Sequence, residues 1–294
     1  MPLTIRQLPA KSVSPLVTAS KFPKNVTFFN PSRAGRYIYI RSSIHVEQGE
    51  TNRVVINDTE LGQAHCIESP LDALQPTVNL FTGIEDLRIA EFHGRLWFSG
   101  TCTHASEHQI NDLIVGCFDA ELTRVERVQA VDIGSRPVKN VCAFVHDDRL
   151  CLLDVFFKRI YVVENTDDAD APLKAVLYRD LRLGAGIALD GIRGSTSPVH
   201  LHGNLWGCVV HDIIYRNNRV LVTRLAYIHH WMEFDIATGL ITYVSTPFYI
   251  AHWGIEYVSG LHLDASGQVH LYFGVEDRAA YTAVTTLTDL KIGF

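Results

Sequence analysis

The stretch Gly83-Ile84-Glu85-Asp86-Leu87-Arg88 sets two carboxylates and a guanidinium within four residues. Groups of this kind, side by side, can hold a polar ligand or exchange protons with it. They can equally make local salt bridges at a loop end, where acidic residues are common. Two features favour the functional reading. The stretch runs into Ile89-Ala90-Glu91-Phe92-His93-Gly94-Arg95-Leu96-Trp97-Phe98, which reads as strand, turn, strand and would hold the charged step rigidly. A related step, Gly274-Val275-Glu276-Asp277-Arg278, returns near the end of the chain.

Strands must position these groups. Val26-Thr27-Phe28-Phe29-Asn30-Pro31 and Arg36-Tyr37-Ile38-Tyr39-Ile40-Arg41 are rich in aromatic and β-branched residues, with a turn at Gly35 between them. The same pattern continues to the end without a long amphipathic helix, and residues 69–74 have room for one helical turn. The turn itself recurs. His93-Gly94-Arg95-Leu96-Trp97 is echoed by His146-Asp147-Asp148-Arg149-Leu150 and by His202-Gly203-Asn204-Leu205-Trp206, and more loosely by Ala34-Gly35-Arg36-Tyr37-Ile38 and Ala265-Ser266-Gly267-Gln268-Val269. Aligning Tyr37, Leu96, Leu150, Leu205 and Val269 gives steps of 59, 54, 55 and 64 residues. Each step accommodates four short strands, and repetition at this length is the mark of a β-propeller. A meandering β-sandwich would turn more often. The expected fold is all-β: a five-bladed β-propeller in one domain over residues 25–294. Residues 1–24, polar with scattered Pro and Lys, form an N-terminal arm, loosely attached or serving as an edge strand.

A propeller brings the ends of its innermost strands to one pocket. If each recurring turn joins the second strand of a blade to the third, the innermost strand lies shortly before it. The polar residues there are Asn30 in the first copy and Glu85, Asp86 and Arg88 in the second. Arg136, Lys139 and Asn140 follow in the third, Arg193, Ser195 and Thr196 in the fourth, and Glu256 in the fifth. Polar groups left unpaired in such buried strands are costly. A shared polar ligand would satisfy them.

The chain has 294 residues, 47% hydrophobic and 20% charged, which suits a globular protein with a large core. Its formal net charge of −6 argues against general nucleic-acid binding. No apolar run approaches the ~20 residues that span a bilayer, so membrane insertion is not expected. The N-terminus lacks the apolar core of a signal peptide, and a cytoplasmic protein is expected. None of the six cysteines forms a C-x-x-C pair, and most sit in apolar runs, as buried reduced thiols do. His104-Ala105-Ser106-Glu107-His108 fits a zinc pattern only on a helix, whereas Thr101-Cys102-Thr103 before it favours a strand, so no metal is expected. Tyr227-Ile228-His229-His230-Trp231 reads as strand alternation, one His in and one out. Gly184-Ala185-Gly186 lacks the βαβ setting of a dinucleotide site.

Several of these motifs, in this order, resemble glycoside hydrolase family 130, five-bladed propellers that cleave or make β-mannosidic linkages. The resemblance runs from about Asn30 to Asp289. Gly83–Arg88 is similar to the family's G-x-E-D-P-R step, with Leu87 at its Pro. Lys139-Asn140 is similar to its K-N pair, and Arg193-Gly194-Ser195-Thr196-Ser197-Pro198 to its R-G-G-T-x-P turn, with Ser195 at a Gly. Val209-Val210-His211 matches a strand ending in His. Gly254-Ile255-Glu256-Tyr257-Val258-Ser259-Gly260-Leu261 and Gly274-Val275-Glu276-Asp277 are similar to the last-blade motifs. The family holds phosphorylases, hydrolases and related mannosyltransferases.

The resemblance implies a role for each position. Cleavage with inversion needs an acid at the leaving oxygen and a nucleophile on the opposite face. A hydrolase needs a second carboxylate to activate water. In a phosphorylase the phosphate is itself the nucleophile, and cations replace the base. Asp86 would be the acid, with Glu85, as its neighbour on a strand, pointing the other way. Asn30, Glu85, Asn140, Glu256 and Asp277 would bind the sugar. Arg41, Arg88, Lys139, Arg193 and His211 would hold the anion, inorganic phosphate or a sugar phosphate serving as co-substrate, with no other cofactor. The partner is a carbohydrate. The basic set favours phosphorolysis or mannosyl transfer; β-mannoside hydrolysis and a non-catalytic glycan-binding propeller are the alternatives.

Overall fold

The β-branched and aromatic runs form strands throughout. A computed structural model describes residues 5–16, 26–46, 49–73, 81–103, 112–134, 139–218 and 221–292. Two short strands come first, β1 (Arg6–Gln7) and β2 (Ser12–Pro15). The first sheet is β3 (Val26–Ala34), β4 (Tyr37–Val46), β5 (Gly49–Asp58) and β6 (Gln63–Ile67), with β7 (Phe81–Thr82) parallel to β5. The second is β8 (Glu85–Phe92), β9 (Arg95–Cys102), β10 (Asp112–Phe118) and β11 (Val125–Ala130), and the third is β12 (Cys142–His146), β13 (Arg149–Asp154), β14 (Arg159–Glu164) and β15 (Lys174–Asp180). The fourth has eight strands: β1 joins β16 (Arg182–Leu183), β17 (Arg193–Gly194), β18 (Val199–His202), β19 (Leu205–Asn218), β20 (Leu221–Asp235), β21 (Leu240–Val244) and β22 (Phe248–Tyr249). The fifth is β23 (Glu256–Leu263), β24 (Gln268–Val275) and β25 (Ala279–Thr286), completed on its outer edge by β2. A 3-10 turn at Pro70–Ala73 and a short helix α1 (Leu287–Leu290) are the helical elements among the described residues.

The result is an all-β propeller, with two corrections to the sequence reading. The regular meander that the repeat implies is present in four sheets, not in all five. The fourth splits its first strand into β17 and β18 and carries extra strands at both edges. Each recurring turn, moreover, joins the first strand of its sheet to the second, as at His93-Gly94 between β8 and β9, not the second to the third. The polar residues before the turns still fall on the first strands, or directly before them, because the offset to the turn is unchanged. The first 16 residues behave as edge strands where described: β1 runs parallel to β22, and Leu8 is buried at 2% exposure.

Apolar side chains fill the gaps between successive sheets. Leu113, Val115 and Trp97 pack on Ala143, Leu152 and Tyr161 between the second and third sheets. Ile56, Val54 and Tyr39 meet Ile89 and Phe98 between the first and second. Phe144 and Leu153 meet Trp206 and Phe234, and Val209 and Trp231 meet Val258 and Leu271. Phe28 and Ile40 close on Tyr272 between the first and the fifth. Each fully buried side chain of this size contributes roughly 1.5–3 kcal/mol. Toward the axis, hydroxyls tie one sheet to the next. Ser99 Oγ donates to the Val141 carbonyl at 2.8 Å and accepts from the Ala143 N–H at 2.9 Å. Ser259 Oγ donates to the Pro31 carbonyl at 2.8 Å.

All six cysteines are free, five of them buried and Cys66 exposed. Among the described residues no helix is long and apolar enough to cross a membrane. His104–His108 and Arg136 lie outside the described residues.

Candidate functional site

One cavity of about 300 Å³ draws side chains from all five sheets. Phe29, Asn30 and Arg41 come from the first; Glu85 and Asp86 from the second; Lys139 and Asn140 from just before the third. The fourth gives Arg193, His211, Ile213, Arg224 and Tyr227, and the fifth gives Tyr257 and Asp277. Depressions of about 370 and 540 Å³ lie at the opposite end, around His93, but each draws on the second and third sheets alone.

Backbone strain aims the key groups. Asn30, Asp86, Asn140 and Asp277 have φ of 48°, 52°, 62° and 51°, the left-handed region that Asn and Asp tolerate best among non-glycine residues. Pairing slips between Phe29 and Ser32 and between Glu85 and Arg88, so Asn30 and Asp86 sit in bulges. Gly274 makes room for the first of these: a Cβ there would lie 2.5 Å from Asn30 Oδ1. The bulge also corrects the expectation that Glu85 points away from Asp86. Strand alternation is broken between them, and both carboxylates face the cavity. Arg41 Nη1 is 3.0 Å from Asp86 Oδ1 and 3.6 Å from Glu85 Oε2.

Arg41 is fixed from three sides. Its Nε donates to Asn52 Oδ1 at 2.7 Å, and its guanidinium lies 4.7 Å from the centre of the Phe29 ring. Asn30 Nδ2 donates to Asp86 Oδ1 at 2.8 Å. Lys139 Nζ stands 3.6 Å from Glu85 Oε2, and its side chain is 42% exposed. Arg193 lines the cavity, yet among the described residues its guanidinium makes no hydrogen bond or ion pair. Arg224 Nη1 donates to the Tyr227 hydroxyl at 2.8 Å. The lining thus sets four guanidinium or ammonium groups against three carboxylates.

Burial alone would raise the Asp86 carboxyl. Arg41, Arg88, the Asn30 amide and Lys139 outweigh it and hold the group down at about 2. With these neighbours Asp86 is therefore an anion across the ordinary pH range. His211 behaves in the opposite sense to the expected cation. It is 1% exposed, and burial, with His229, Arg193 and Arg88 nearby, pushes it well below the usual histidine range. It lines the cavity as a neutral ring, its Nδ1 2.9 Å from Ser195 Oγ.

Two of the expected ligands are elsewhere. Arg88 is fully buried behind the cavity wall. Its Nε donates to the Ser195 carbonyl, its Nη1 to the Asp86 and Leu87 carbonyls at 2.7 and 3.3 Å, and its Nη2 to the Tyr257 hydroxyl at 2.5 Å. Its donors are committed to the protein, so it does not hold the anion directly. Tyr257 passes the contact on, donating to Asn140 Oδ1 at 2.8 Å. Glu256 is also fully buried. Its carboxylate accepts from the backbone N–H groups of Ile250, Ala251 and His252 at 2.7, 2.8 and 2.8 Å, which makes it a loop clamp and not a sugar ligand. Glu256→Ala should cost about 3 kcal/mol in urea unfolding, because three amide donors lose their acceptor. An unfolding midpoint equal to wild type would contradict the clamp.

Phe29, Ile213, Arg224, Tyr227 and Tyr257 line the cavity without having been singled out. For Tyr227 a signal existed. His211 pairs with His229, so Tyr227, two residues earlier in β20, shares the face of His229. Of the adjacent histidines, His229 is fully buried and His230 half-buried.

No family model matches the chain, and no curated protein matches its sequence. Solved structures do match. A mannose phosphorylase from Leishmania mexicana, in complex with phosphate ion, superposes with a TM-score of 0.58 at 13% identity, over 95% of this chain and 89% of that one. A GDP-Man-dependent mannosyltransferase from the same organism gives 0.62 at 12% identity, over 97% and 93%. A structure of the GH130 family, in which mannoside phosphorylases occur with hydrolases of β-1,2 mannosidic linkages, gives 0.58 at 12% identity, over 89% and 85%. At such identities the likeness speaks for the fold, and in fold the chain resembles the propellers of glycoside hydrolase family 130.

Proposed function

We propose that the protein is a carbohydrate-active enzyme of the family 130 type, acting on β-mannosidic linkages by inverting phosphorolysis or the related mannosyl transfer. The convergence of Asp86 and Asp277 with Arg41, Lys139 and Arg193 in one cavity carries the reading. On this reading the fold is a five-bladed propeller in which the eight-stranded fourth sheet also counts as a blade; support comes from a cavity lined by all five sheets. Asn30, Asn140 and Asp277 hold sugar hydroxyls, and Arg41, Lys139 and Arg193 hold a phosphate or sugar-phosphate co-substrate. Residues 1–24 are an arm to one catalytic domain. A reducing cytoplasmic setting suits six free thiols.

In phosphorolysis a phosphate oxygen attacks the anomeric carbon of the mannosyl unit. The bond from that carbon to the bridging oxygen breaks, and the Asp86 carboxyl gives its proton to the departing oxygen. Asp86 must then be protonated, whereas among its protein neighbours alone it is an anion. The anion supplies the remedy. Its negative charge occupies Arg41, Lys139 and Arg193, weakening their hold on Asp86 and raising its proton affinity. Phosphate therefore binds before chemistry can start, both as nucleophile and as the condition for the acid.

The test is a set of β-mannosides incubated with and without phosphate, assayed for mannose 1-phosphate, with mannose 1-phosphate and sugar nucleotides tried in the synthetic direction. Lys139→Ala should raise the KM for phosphate at least tenfold and leave stability within about 0.5 kcal/mol of wild type, since an exposed side chain is removed. Release of free mannose independent of phosphate would make the protein a hydrolase. Binding of mannosides without turnover would make it a glycan-binding propeller.

A further inference from the structure

Trp253 is 45% exposed, whereas Trp97, Trp206 and Trp231 are 3%, 8% and 0% exposed. An exposed indole is unusual for a protein with so many buried aromatic residues, and its surroundings hold it still. It lies in the loop that Glu256 clamps through three successive N–H groups. From the other side Gln7 Nε2 donates to the Ile250 carbonyl at 3.1 Å. The Tyr249 ring stands against Trp253 at 5.7 Å between centroids and 74° between planes.

The loop also abuts the cavity. On one side of Trp253, His252 Nε2 is 2.8 Å from Glu276 Oε1, and the next residue, Asp277, lines the cavity. On the other side, the Gly254 carbonyl accepts from the backbone N–H of Tyr227 at 3.0 Å, and Tyr227 lines the cavity too. Trp253 is thus flanked on both sides by direct contacts to the rim.

We propose that Trp253, supported by Tyr249, is the platform on which the sugar beyond the scissile bond stacks, and so selects the acceptor or leaving group. The inference rests on the β-mannoside reading of the cavity. At about 300 Å³ the cavity is at the small end for a ligand site, and a second sugar that extends over the rim would meet this loop. A pyranose presents a face of C–H bonds, slightly positive, that suits the negative face of an indole. The clamped loop keeps the ordering cost of that contact low.

Trp253 is the exposed tryptophan among the four, so acrylamide quenching of intrinsic fluorescence reports on it directly. A β-linked manno-oligosaccharide should protect wild type from quenching, and monomeric mannose should protect it far less. Trp253→Ala should raise the KM for the oligosaccharide about tenfold and leave the KM for phosphate unchanged. Trp253→Phe should recover most of the loss. Protection without turnover would remove the enzymatic reading and keep the platform. Turnover of oligosaccharides with no protection, or with Trp253→Ala equal to wild type, would overturn the platform and keep the enzyme. Protection by none of the mannosides would overturn the platform outright.

Discussion

Asp86→Asn should lower kcat on the cognate β-mannoside about a thousandfold, within the range that a positioned general acid contributes, while phosphate binds as tightly as before or tighter. The amide keeps an oxygen for the Asn30 donor at 2.8 Å but cannot release a proton. It also removes a negative charge 3.0 Å from Arg41, so an anion meets less competition for that guanidinium. The same change should cost stability without phosphate. The Asp86 carboxyl sits at about 2 against an ordinary 3.8, which corresponds to about 2 kcal/mol favouring the charged form in the folded protein. Because the folded value is depressed, this contribution is complete above about pH 4 and fades as pH falls toward 2. Wild type should lose it over that window, whereas Asp86→Asn should lack it throughout. Kinetics with a leaving group that needs no proton provides the control: the variant should recover much of its rate there. A variant equally impaired on both substrates would mean that Asp86 positions the sugar and is not the acid.

Arg88→Ala should be among the most destabilising single changes in the chain, costing about 3–5 kcal/mol in denaturant unfolding. The guanidinium is fully buried and serves the carbonyls of Ser195, Asp86 and Leu87 together with the Tyr257 hydroxyl. Its removal strands those acceptors and empties a volume at the junction of the second, fourth and fifth sheets. Arg88→Lys should rescue little, since one ammonium cannot reach the same fork of acceptors. The contrast with Lys139→Ala separates two kinds of cation near the axis: one holds sheets together, the other faces the ligand. If Arg88→Ala unfolded at the wild-type midpoint but bound phosphate more weakly, the assignments would have to be exchanged.

The repeat was legible because turn chemistry is local. A Gly or Asp between a polar residue and an apolar strand marks each hairpin whatever surrounds it, and all five marked turns close hairpins between a first and a second strand. The irregular fourth sheet was not legible. Its split first strand and long β19–β20 hairpin follow from tertiary pairing, and no composition step announces them. Asn30, Asp86 and Lys139 were picked out because polar residues at the inner strands stood out against an apolar pattern, and Asp277 because Gly274-Val275-Glu276-Asp277 repeats the earlier acidic step. The inner-strand argument misplaced Arg88 and Glu256 for a physical reason: a buried polar group can be satisfied by neighbouring backbone as well as by a ligand. Thr196 is a further instance, its Oγ1 accepting from the Val209 N–H at 3.0 Å. The bulge at Asp86 was hidden because strand alternation is the default, and only a left-handed residue reverses it.

The strand β2 completes the fifth sheet by pairing Ser12 with Val284. The ring is thus fastened by residues from opposite ends of the chain, and that closure sets an order of events in folding. The first four sheets can form their hairpins as soon as their own strands exist. The fifth must wait until β25 is available, while β2, present from the start, has no partner. Bringing the two together closes a loop of nearly the whole chain, an entropic cost that grows only slowly with length but delays the contact. Until then β25 is an open strand edge with Ala and Thr along it, able to pair with another chain. Slow folding and pairing between molecules should therefore begin at this seam and not at the cavity.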